Sequence, residues 1–347
     1  MVDQHPERSR LPDHMIELPR FDLPFPSDIS PMTDSIIDHT SWWARSVRLV
    51  RNRRAVRRLR RNGIMHAGPR LVPAAPMTAA CLVCDWTVFL IVIDDEFDDG
   101  RELGMRPELA QAAIEDVLAS FRGQQDGRAV KFAHLAGIAG TAADLGRRFA
   151  ASAPSQEWLA RFSRHAEEHI WSKVSEAEQR TSGTELDVPS YVNLRRITGA
   201  PYTYSDIVEM CEQVVIPRQV QQTPAWRLML DAFADVWLGI QDICSCAKEV
   251  AAGDELNLAA VMARSGGTTL QQGVDDAYQW VRGRSRDFAA QRAQLAGLPR
   301  RLSLDAATEL DIGRYLDSLE RLIGGHLAWN SQDNPRYTLV ISRSQAR

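Results

Sequence analysis

Apolar residues recur at three- and four-residue spacing through almost the whole chain from about residue 33 onward, as they do in α-helices. Short clusters of Gly, Pro and Ser separate these segments, and no stretch alternates with period two over a useful length. The run Val88–Ile93 has strand-like composition, but it continues without a breaker into acidic sequence, so we interpret it as buried helix. The pattern predicts an all-α fold of about nine to eleven helices.

The first 32 residues differ from the rest, because their repeated prolines and charges disfavour helix. We predict an extended lead-in segment over residues 1–32 and a single helical domain over residues 33–347. The segments with helical periodicity lie near 33–62, 76–99, 106–123, 131–150, 155–182, 204–215, 224–252, 268–295 and 304–328.

Composition argues against several classes of protein. With 41 basic and 45 acidic residues, the formal charge is −4, so there is no global basic field for nucleic acid. The N-terminal sequence MVDQHPERSR has no apolar core of the secretory type, and the central run Val88–Ile93 is too short to span a bilayer. Five cysteines, an odd number, fit a reduced protein. We therefore expect a cytoplasmic protein with no membrane span and no nucleic-acid partner.

Residues 45–62 (RSVRLVRNRRAVRRLRRN) contain nine arginines. One interpretation is an RNA- or membrane-binding helix. The other, which we favour because the chain is acidic overall and the run matches no nucleic-acid motif, is a solvated helix face. Its apolar partners, predicted to point inward, are Trp42, Trp43, Val47, Val50 and Val56.

Two groups of potential zinc ligands have a structural explanation. The pairs Cys81/Cys84 and Cys244/Cys246 lie within apolar helical segments, where cysteine behaves as a small hydrophobic residue. The histidines of HAEEH at 165–169 do not follow the HExxH pattern of zinc proteases. We predict that these two histidines lie on an exposed helix face.

Five acidic side chains crowd into positions 94–99, directly after the apolar run: Asp94, Asp95, Glu96, Asp98 and Asp99. Their repulsion costs stability unless cations neutralise it, and clustered carboxylates suit hard ions such as Mg²⁺ or Ca²⁺. On a helix, Asp94 and Asp98 share one face with Asp95 beside them, and the spacing is not that of an EF-hand loop. A solvated acidic helix end is the alternative interpretation.

A second polar line follows at positions 241–249. Gln241, Ser245 and Glu249 are spaced by four residues and fall on one face of an otherwise apolar helical segment. An amide oxygen, a hydroxyl and a carboxylate together form a suitable site for a hard cation. The alternative is the polar stripe of an amphipathic surface helix.

Taken in order along the chain, these segments resemble the bacterial class I terpene synthases. Residues 94–98 match that family's DDxxD, and 241–249 match its N-D-x-x-S-x-x-K-E motif at Asp242, Ser245, Lys248 and Glu249. Residues 195–199 (RRITG) resemble its RRxTG segment, 336–337 its terminal Arg-Tyr pair, and LPFP at 23–26 its lead-in. The departure is Gln241, where the family usually has Asn. We expect its amide oxygen still to coordinate metal.

The resemblance implies a single-domain helical bundle around a central apolar cavity, with a catalytic domain over 33–347. It implies three Mg²⁺ ions, with Mn²⁺ as an alternative. The implied metal ligands are Asp94, Asp95 and Asp98 from the first motif and Gln241, Ser245 and Glu249 from the second. The implied diphosphate-binding groups are Arg195, Lys248, Arg336 and Tyr337, and the carbonyl of Gly199, next to Thr198, is implied to help trigger ionisation.

The same resemblance implies ionisation and cyclisation of an isoprenyl diphosphate. Trp86, Phe89, Trp237 and Trp329 are the candidate aromatic side chains around the carbocation. We expect farnesyl diphosphate as substrate, with geranylgeranyl diphosphate as the alternative, and a monomer or homodimer. The rival functions are an isoprenyl chain-elongating synthase, which would carry a second aspartate-rich motif, and a non-catalytic diphosphate-binding, RNA-binding or membrane-binding protein.

Overall fold

The computed structural model describes residues 16–97, 102–124 and 132–337 and the backbone of 341–342. Its α-helices are α1 (Thr33–Ser46), α2 (Arg53–Arg61), α3 (Ala67–Leu71), α4 (Met77–Phe97), α5 (Pro107–Phe121), α6 (Ala136–Ser152), α7 (Gln156–Ser182), α8 (Val188–Thr198), α9 (Pro201–Glu212), α10 (Arg218–Gln221), α11 (Pro224–Ala252), α12 (Leu258–Gly266), α13 (Leu270–Ala296), α14 (Leu298–Arg301) and α15 (Ala306–Ala328).

Short irregular turns complete the fold. They are 3₁₀ turns at Ile64–His66, Leu103–Met105, Ala133–Leu135 and Pro335–Tyr337, and a π-helical turn at Trp329–Asp333 that continues α15. Two-residue strands β1 (Glu17–Leu18) and β2 (Ile341–Ser342) pair in parallel and join the two ends of the chain. Within the part of the chain that the structure describes, these are the sole strands, so the predicted all-α fold is confirmed.

Capping residues fix where the long helix α11 begins and ends. Thr223 precedes it and its hydroxyl accepts a hydrogen bond from the Trp226 amide at 3.3 Å, and Pro224 occupies the first turn. Gly253 ends the helix with φ +86°, a left-handed conformation that glycine adopts without strain. The second acidic motif therefore occupies the last turns of α11.

Helix α4 is the central helix of the core. By length and composition it would suffice to cross a membrane, yet 67% of its most apolar window is buried inside the protein. Its neighbours include α1, α3, α6, α7 and α9. A buried helix has no polar outer face, which explains why α4 is apolar nearly all round until it reaches Asp94.

The opposite side of the bundle is formed by α11 and α13, which pack against each other along much of their length. Gly239 permits their close approach, because a Cβ at that position would lie 2.3 Å from Cγ2 of Val281. Helix α11 also contacts α8, α9 and α15. The first and second acidic motifs therefore sit on two helices that belong to one packed core.

The described residues form fifteen α-helices, so the predicted number of nine to eleven is too low. Helices α3, α10, α12 and α14 lie outside the predicted helical segments, and two further boundaries differ. The segment predicted as helix over 33–62 is divided into α1 and α2, with Arg48 at φ +62° between them. Residues 191–203, which lie in no predicted helical segment, contain most of α8 and the start of α9. Residues 16–32 hold only β1 before α1 begins at Thr33, and the division of the chain at residue 32 stays a prediction.

Trp42 corrects one further expectation. Its neighbour Trp43 is buried, as expected, but the Trp42 side chain is 68% exposed and does not point inward. Consecutive helical residues lie about 100° apart, so the two indoles cannot both face the core.

Candidate active site

A hollow lies between α4, α7, α8, α9, α11, α15 and the turn Pro335–Tyr337. The side chains around it come from both acidic motifs, from the RRITG segment and from the chain's last described helical turns. They are Thr87, Leu90, Ile91, Asp94, His169, Arg195, Thr198, Gly199, Ala200, Tyr204, Trp237, Gln241, Lys248, Glu249, His326, Trp329, Arg336 and Tyr337. The structure thus brings together residues from segments that are up to 250 positions apart.

The helical phase of α4 decides which of its residues reach the hollow. Thr87, Ile91 and Asp94 line it, as expected for residues spaced by three and four along one helical face. Trp86 and Phe89, proposed from the sequence as cavity aromatics, are absent from the lining and fully buried elsewhere. They pack with Phe121, Phe149 and Phe162 in an aromatic core behind α4. The expectation that these two rings surround the substrate is therefore corrected.

Asp94 is held by a buried lysine. Nζ of Lys173, on α7, donates to Oδ1 of Asp94 at 2.6 Å and to Oε2 of Glu176 at 2.7 Å. Burial alone would raise the pKa of Asp94, but the Lys173 ammonium outweighs burial and lowers that pKa well below its usual range. The carboxylate is therefore ionised and half-exposed to the hollow.

Asp95 is tied to the C-terminal motif. Nη2 of Arg336 donates to Oδ1 of Asp95 at 2.9 Å, which joins the end of α4 to the Pro335–Tyr337 turn. The guanidinium is mostly buried, and the Asp95 charge raises its pKa despite that burial. Asp98, the remaining predicted ligand of the first motif, lies outside the described residues.

The second motif forms the predicted line along α11. Gln241 and Glu249 line the hollow, and Ser245 lies between them, fully buried. The Ser245 hydroxyl has no hydrogen-bond partner among the described residues. A buried hydroxyl without a partner is costly, and an oxygen ligand to a cation is one state that would remove this cost.

Glu249 is fixed by its neighbour on α12. Asn257 Nδ2 donates to Oε2 of Glu249 at 2.8 Å and to the backbone carbonyl of Asp242, also at 2.8 Å. Burial, helped by the Asp242 carboxylate, raises the pKa of Glu249 to about 7. A carboxylate that is destabilised by burial and by a like charge gains from a nearby cation.

Asp242 positions the arginine of the RRITG segment. This fully buried carboxylate accepts from Nε of Arg195 at 3.0 Å, from the Tyr191 hydroxyl at 2.5 Å and from the Leu258 amide at 3.0 Å. A second Arg195 nitrogen, Nη1, donates to the hydroxyl of Thr198 at 3.3 Å. The guanidinium is therefore held on one side while it lines the hollow.

The helical structure is interrupted between α8 and α9, next to the hollow. Helix α8 ends at Thr198, and Ala200 adopts φ +58° before Pro201 begins α9. Because the regular helix stops there, the carbonyl of Gly199 has no partner within the helix and accepts from Nε1 of Trp237 at 3.2 Å. This is the carbonyl that the resemblance to terpene synthases implies as a group that helps trigger ionisation.

Aromatic side chains form one wall of the hollow. The rings of Tyr204 and Trp237 stack with centroids 4.7 Å apart, and Trp237 stacks on His326 at 3.6 Å. Of the four aromatic residues predicted from the sequence, Trp237 and Trp329 line the hollow. Trp329 is fixed by a hydrogen bond from its indole nitrogen to the carbonyl of Gly63 at 2.9 Å. These aromatic side chains make this wall of the hollow largely apolar and electron-rich.

Sequence reasoning missed Lys173, His169, Tyr204 and His326. His169 was predicted to be exposed, but it is buried at the hollow, where burial and the nearby Lys173 charge lower its pKa to about 4. The prediction for His169 is therefore wrong. His165 is largely buried too, and its Nδ1 lies 2.6 Å from Oδ2 of Asp206. A helical wheel of α7 phased on Phe162, Ala166 and Ile170 would have placed His169 inward.

The arrangement combines acidic and basic groups around an apolar wall. Asp94, Asp95 and Glu249 supply carboxylates, whereas Arg195, Lys248 and Arg336 supply cations within reach of the same hollow. Such a set can hold divalent metal ions and a polyanionic group at once.

Comparison with known proteins agrees with this geometry. Residues 85–287 match the model of terpene synthase family 2, C-terminal metal binding. The chain is 27% identical to (+)-eremophilene synthase of Sorangium cellulosum over 315 residues, 89% of each chain. It is 28% identical to (+)-T-muurolol synthase ((2E,6E)-farnesyl diphosphate cyclizing) of Roseiflexus castenholzii over 316 residues, 90% of this chain and 91% of the relative.

Germacradien-4-ol synthase from Streptomyces citricolor superposes with a TM-score of 0.75 at 25% identity, covering 89% of this chain and 97% of that one. The family model covers more than half of the chain and describes a metal-binding domain, so a divalent metal belongs to this site. The chain is a bacterial class I terpene synthase, an enzyme of the terpene synthase family.

Proposed function

We propose that this enzyme ionises farnesyl diphosphate in a Mg²⁺-dependent reaction and cyclises the resulting cation to a sesquiterpene hydrocarbon or alcohol, with release of pyrophosphate. The observation that carries the proposal is the meeting of α4 and α11 at one hollow. The first motif and the second motif, 147 positions apart from Asp94 to Gln241, line the same space. A chain-elongating synthase would present a second aspartate-rich motif there, and α11 presents Gln241, Ser245 and Glu249 instead.

The donor set fits magnesium. All six proposed ligands offer oxygen atoms: Asp94, Asp95 and Asp98 from the first motif, and Gln241, Ser245 and Glu249 from the second. The partnerless Ser245 hydroxyl and the destabilised Glu249 carboxylate both favour a bound cation. When bound, three Mg²⁺ ions (or Mn²⁺) would neutralise the negative charge that develops on the leaving diphosphate.

The cationic side chains would hold the diphosphate. Arg195 is oriented by Asp242, and Arg336 by Asp95, so both guanidinium groups are pre-positioned at the hollow. Lys248 lines the same space and adds a third positive charge, and the Tyr337 hydroxyl adds a donor. These groups lower the energy of the departing anion, and the Gly199 carbonyl, free of helical bonding, stabilises positive charge as the carbon–oxygen bond breaks.

The apolar wall would protect and shape the cation. Tyr204, Trp237 and Trp329 line the hollow, and aromatic rings attract positive charge electrostatically. Their bulk also excludes water until the ring closures are complete. Which skeleton forms depends on how the chain of the substrate folds against this wall.

A C15 substrate is supported by the relatives. The printed name of the Roseiflexus relative specifies farnesyl diphosphate, and that protein aligns with 90% of this chain. Geranylgeranyl diphosphate remains the alternative for the experiment to decide. A cytoplasmic location and a monomer or homodimer belong to the same proposal.

The test is incubation of the purified enzyme with C10, C15 and C20 diphosphates and Mg²⁺, with pyrophosphate assay and gas chromatography–mass spectrometry. We expect a cyclic C15 product that depends on Mg²⁺ and is lost in Asp94→Asn. Asp276→Asn, which removes an exposed carboxylate of α13, is the matched control and should retain full turnover. Turnover of the C20 diphosphate alone would overturn the C15 assignment, and Mg²⁺-independent turnover would overturn the metal assignment.

A further inference from the structure

An unusually basic surface lies on α2 and the segment before it. Nine arginines fall between positions 45 and 61, and all of them are exposed. We call them the arginine surface. Because the whole chain carries a formal charge of −4, this concentration of positive charge is local.

The arginines cannot turn inward, because α2 is anchored by its other face. Val56 and Leu59 are buried, and the Asn52 side chain caps the helix by accepting from the Ala55 amide at 3.0 Å. Among the ion pairs of the described residues, one involves this surface: Nη1 of Arg60 donates to Asp38 at 2.9 Å. The remaining positive charges face outward without a counter-charge supplied by the described part of the chain.

An exposed tryptophan borders the arginine surface. Trp42 is 68% exposed, more than any other large apolar side chain of the described residues. It lies one helical turn beyond Asp38 and next to Ser41, and Arg60 contacts both of those residues. Indole rings at the edge of a positive surface are suited to the headgroup region of a bilayer, because one end is apolar and the other is a hydrogen-bond donor.

We propose that the arginine surface and Trp42 form a docking site for an anionic lipid bilayer. The charge is complementary to acidic phospholipid headgroups, and clusters of four to eight basic residues on a helix bind such surfaces. The concave space along α2 is lined mostly by its arginines, among them Arg54, Arg57 and Arg58, and by no aromatic side chain on which a base could stack. It therefore offers positive charge for phosphate groups. An RNA partner would use the same charge, and it is the competing outcome of the test.

Docking would place the enzyme where its reactants dissolve. This consequence, unlike the docking itself, rests on the proposed function, because a farnesyl chain and a cyclic hydrocarbon both partition into lipid. Gly63, two residues after the end of α2, accepts a hydrogen bond from the indole nitrogen of the cavity residue Trp329. The backbone that follows α2 is therefore hydrogen-bonded to a residue that lines the hollow.

The experiment is flotation of the full-length enzyme with vesicles of phosphatidylcholine alone or with 30% phosphatidylserine (about physiological acidity) at 0.1 M and 0.5 M NaCl. We expect binding to the acidic vesicles only, released at the higher salt. A variant with Arg54, Arg57, Arg58 and Arg61 replaced by Gln should bind about 100-fold more weakly. Trp42→Ala should weaken binding by about tenfold.

Matched controls separate docking from folding and from catalysis. Arg218, Arg227, Arg282 and Arg286 are exposed arginines on α10, α11 and α13, and their replacement by Gln makes the same change in net charge. That variant should bind acidic vesicles like the wild type, as should Leu310→Ala, which removes another exposed apolar side chain. All variants should keep wild-type thermal unfolding and wild-type pyrophosphate release from dispersed substrate.

Three results would overturn the docking proposal. They are absence of binding to acidic vesicles at 0.1 M NaCl, equal binding by the two quadruple variants, and displacement from vesicles by single-stranded RNA at equal phosphate concentration. Each result is a measurement of vesicle binding that does not depend on enzyme activity. A failure of docking is therefore distinguishable from a failure of the proposed reaction.

Discussion

Nζ of Lys173 lies 2.6 Å from Oδ1 of Asp94, although the lysine side chain is 1% exposed and sits on a different helix. Burial alone would lower the pKa of this lysine, but Asp94 and Glu176 outweigh burial and raise it. The ammonium therefore stays charged at neutral pH. A fixed positive charge thus holds the first motif's leading carboxylate in place before any metal arrives.

Replacing Lys173 by Met should destabilise the metal-free protein by about 2 kcal/mol, because Asp94 and Glu176 lose their shared counter-charge. The loss of stability is smaller than for a fully buried ion pair, because the Asp94 side chain is half-exposed and water can solvate its charge. Urea unfolding with and without Mg²⁺ measures this. The variant should gain more stability from Mg²⁺ than the wild type, because the metal supplies the missing charge. Arg282→Met, which replaces an exposed side chain of α13, is the control. Equal stability of the Lys173 variant and the wild type would contradict the prediction.

Ser245→Ala should separate stability from activity. The hydroxyl is buried without a partner, so its removal should leave the metal-free stability unchanged or raise it by about 1 kcal/mol. Turnover should nevertheless fall about tenfold or more, with a higher Mg²⁺ requirement, because a ligand oxygen is lost.

The matched control for Ser245→Ala is Ser285→Ala, which removes a buried hydroxyl that already donates to the Val281 carbonyl at 2.8 Å. It should lower stability slightly and leave the Mg²⁺ requirement unchanged. If Ser245→Ala behaves in the same way, Ser245 is not a ligand.

Gln241→Asn should retain or raise turnover, because it returns the amide oxygen to the position that is usual in the family. Gln241→Ala should raise the Mg²⁺ concentration for half-maximal activity about tenfold, because water would replace the amide oxygen. Steady-state kinetics over a Mg²⁺ series measures both. An unchanged Mg²⁺ dependence in the Ala variant would remove Gln241 from the ligand set.

Periodicity predicted the fold class because helical spacing is a local property, and it persists over many turns in α4 and α11. The boundary between α1 and α2 was missed because the break at Arg48 is set by one left-handed residue that is neither Gly nor Asn. The start of α9 was placed three residues late, at 204, although Pro201 after Ala200 is a typical first residue of a helix.

The site could be predicted only where a motif marked it. Asp94, Arg195 and Glu249 line one hollow, but the side of α4 that faces it depends on helical phase. In a helix that is apolar nearly all round, periodicity defines that phase only weakly. Trp86 and Phe89 were misplaced for this reason. The same explanation applies to any central helix that is buried on every side.

His326 predicts how stability depends on pH. The ring is 1% exposed and its Nε2 lies 3.2 Å from the Trp237 carbonyl, and burial lowers its pKa to about 3 from 6.5. Below pH 6.5 the unfolded chain therefore binds a proton on this ring, whereas the folded chain does not bind it until the pH approaches 3. Stability is consequently lost as the pH falls from about 6.5 toward 3. At pH 5 this single group should cost about 2 kcal/mol relative to neutral pH. Urea unfolding at pH 7.5 and pH 5 measures the decrease in unfolding free energy between the two pH values. In His326→Phe, which keeps a flat ring against Trp237, this decrease should be smaller than in the wild type by about 2 kcal/mol. His134→Phe, which removes an exposed histidine, is the control and should show the same decrease as the wild type. An identical decrease in all three proteins would show that His326 takes up its proton equally in the folded and the unfolded chain.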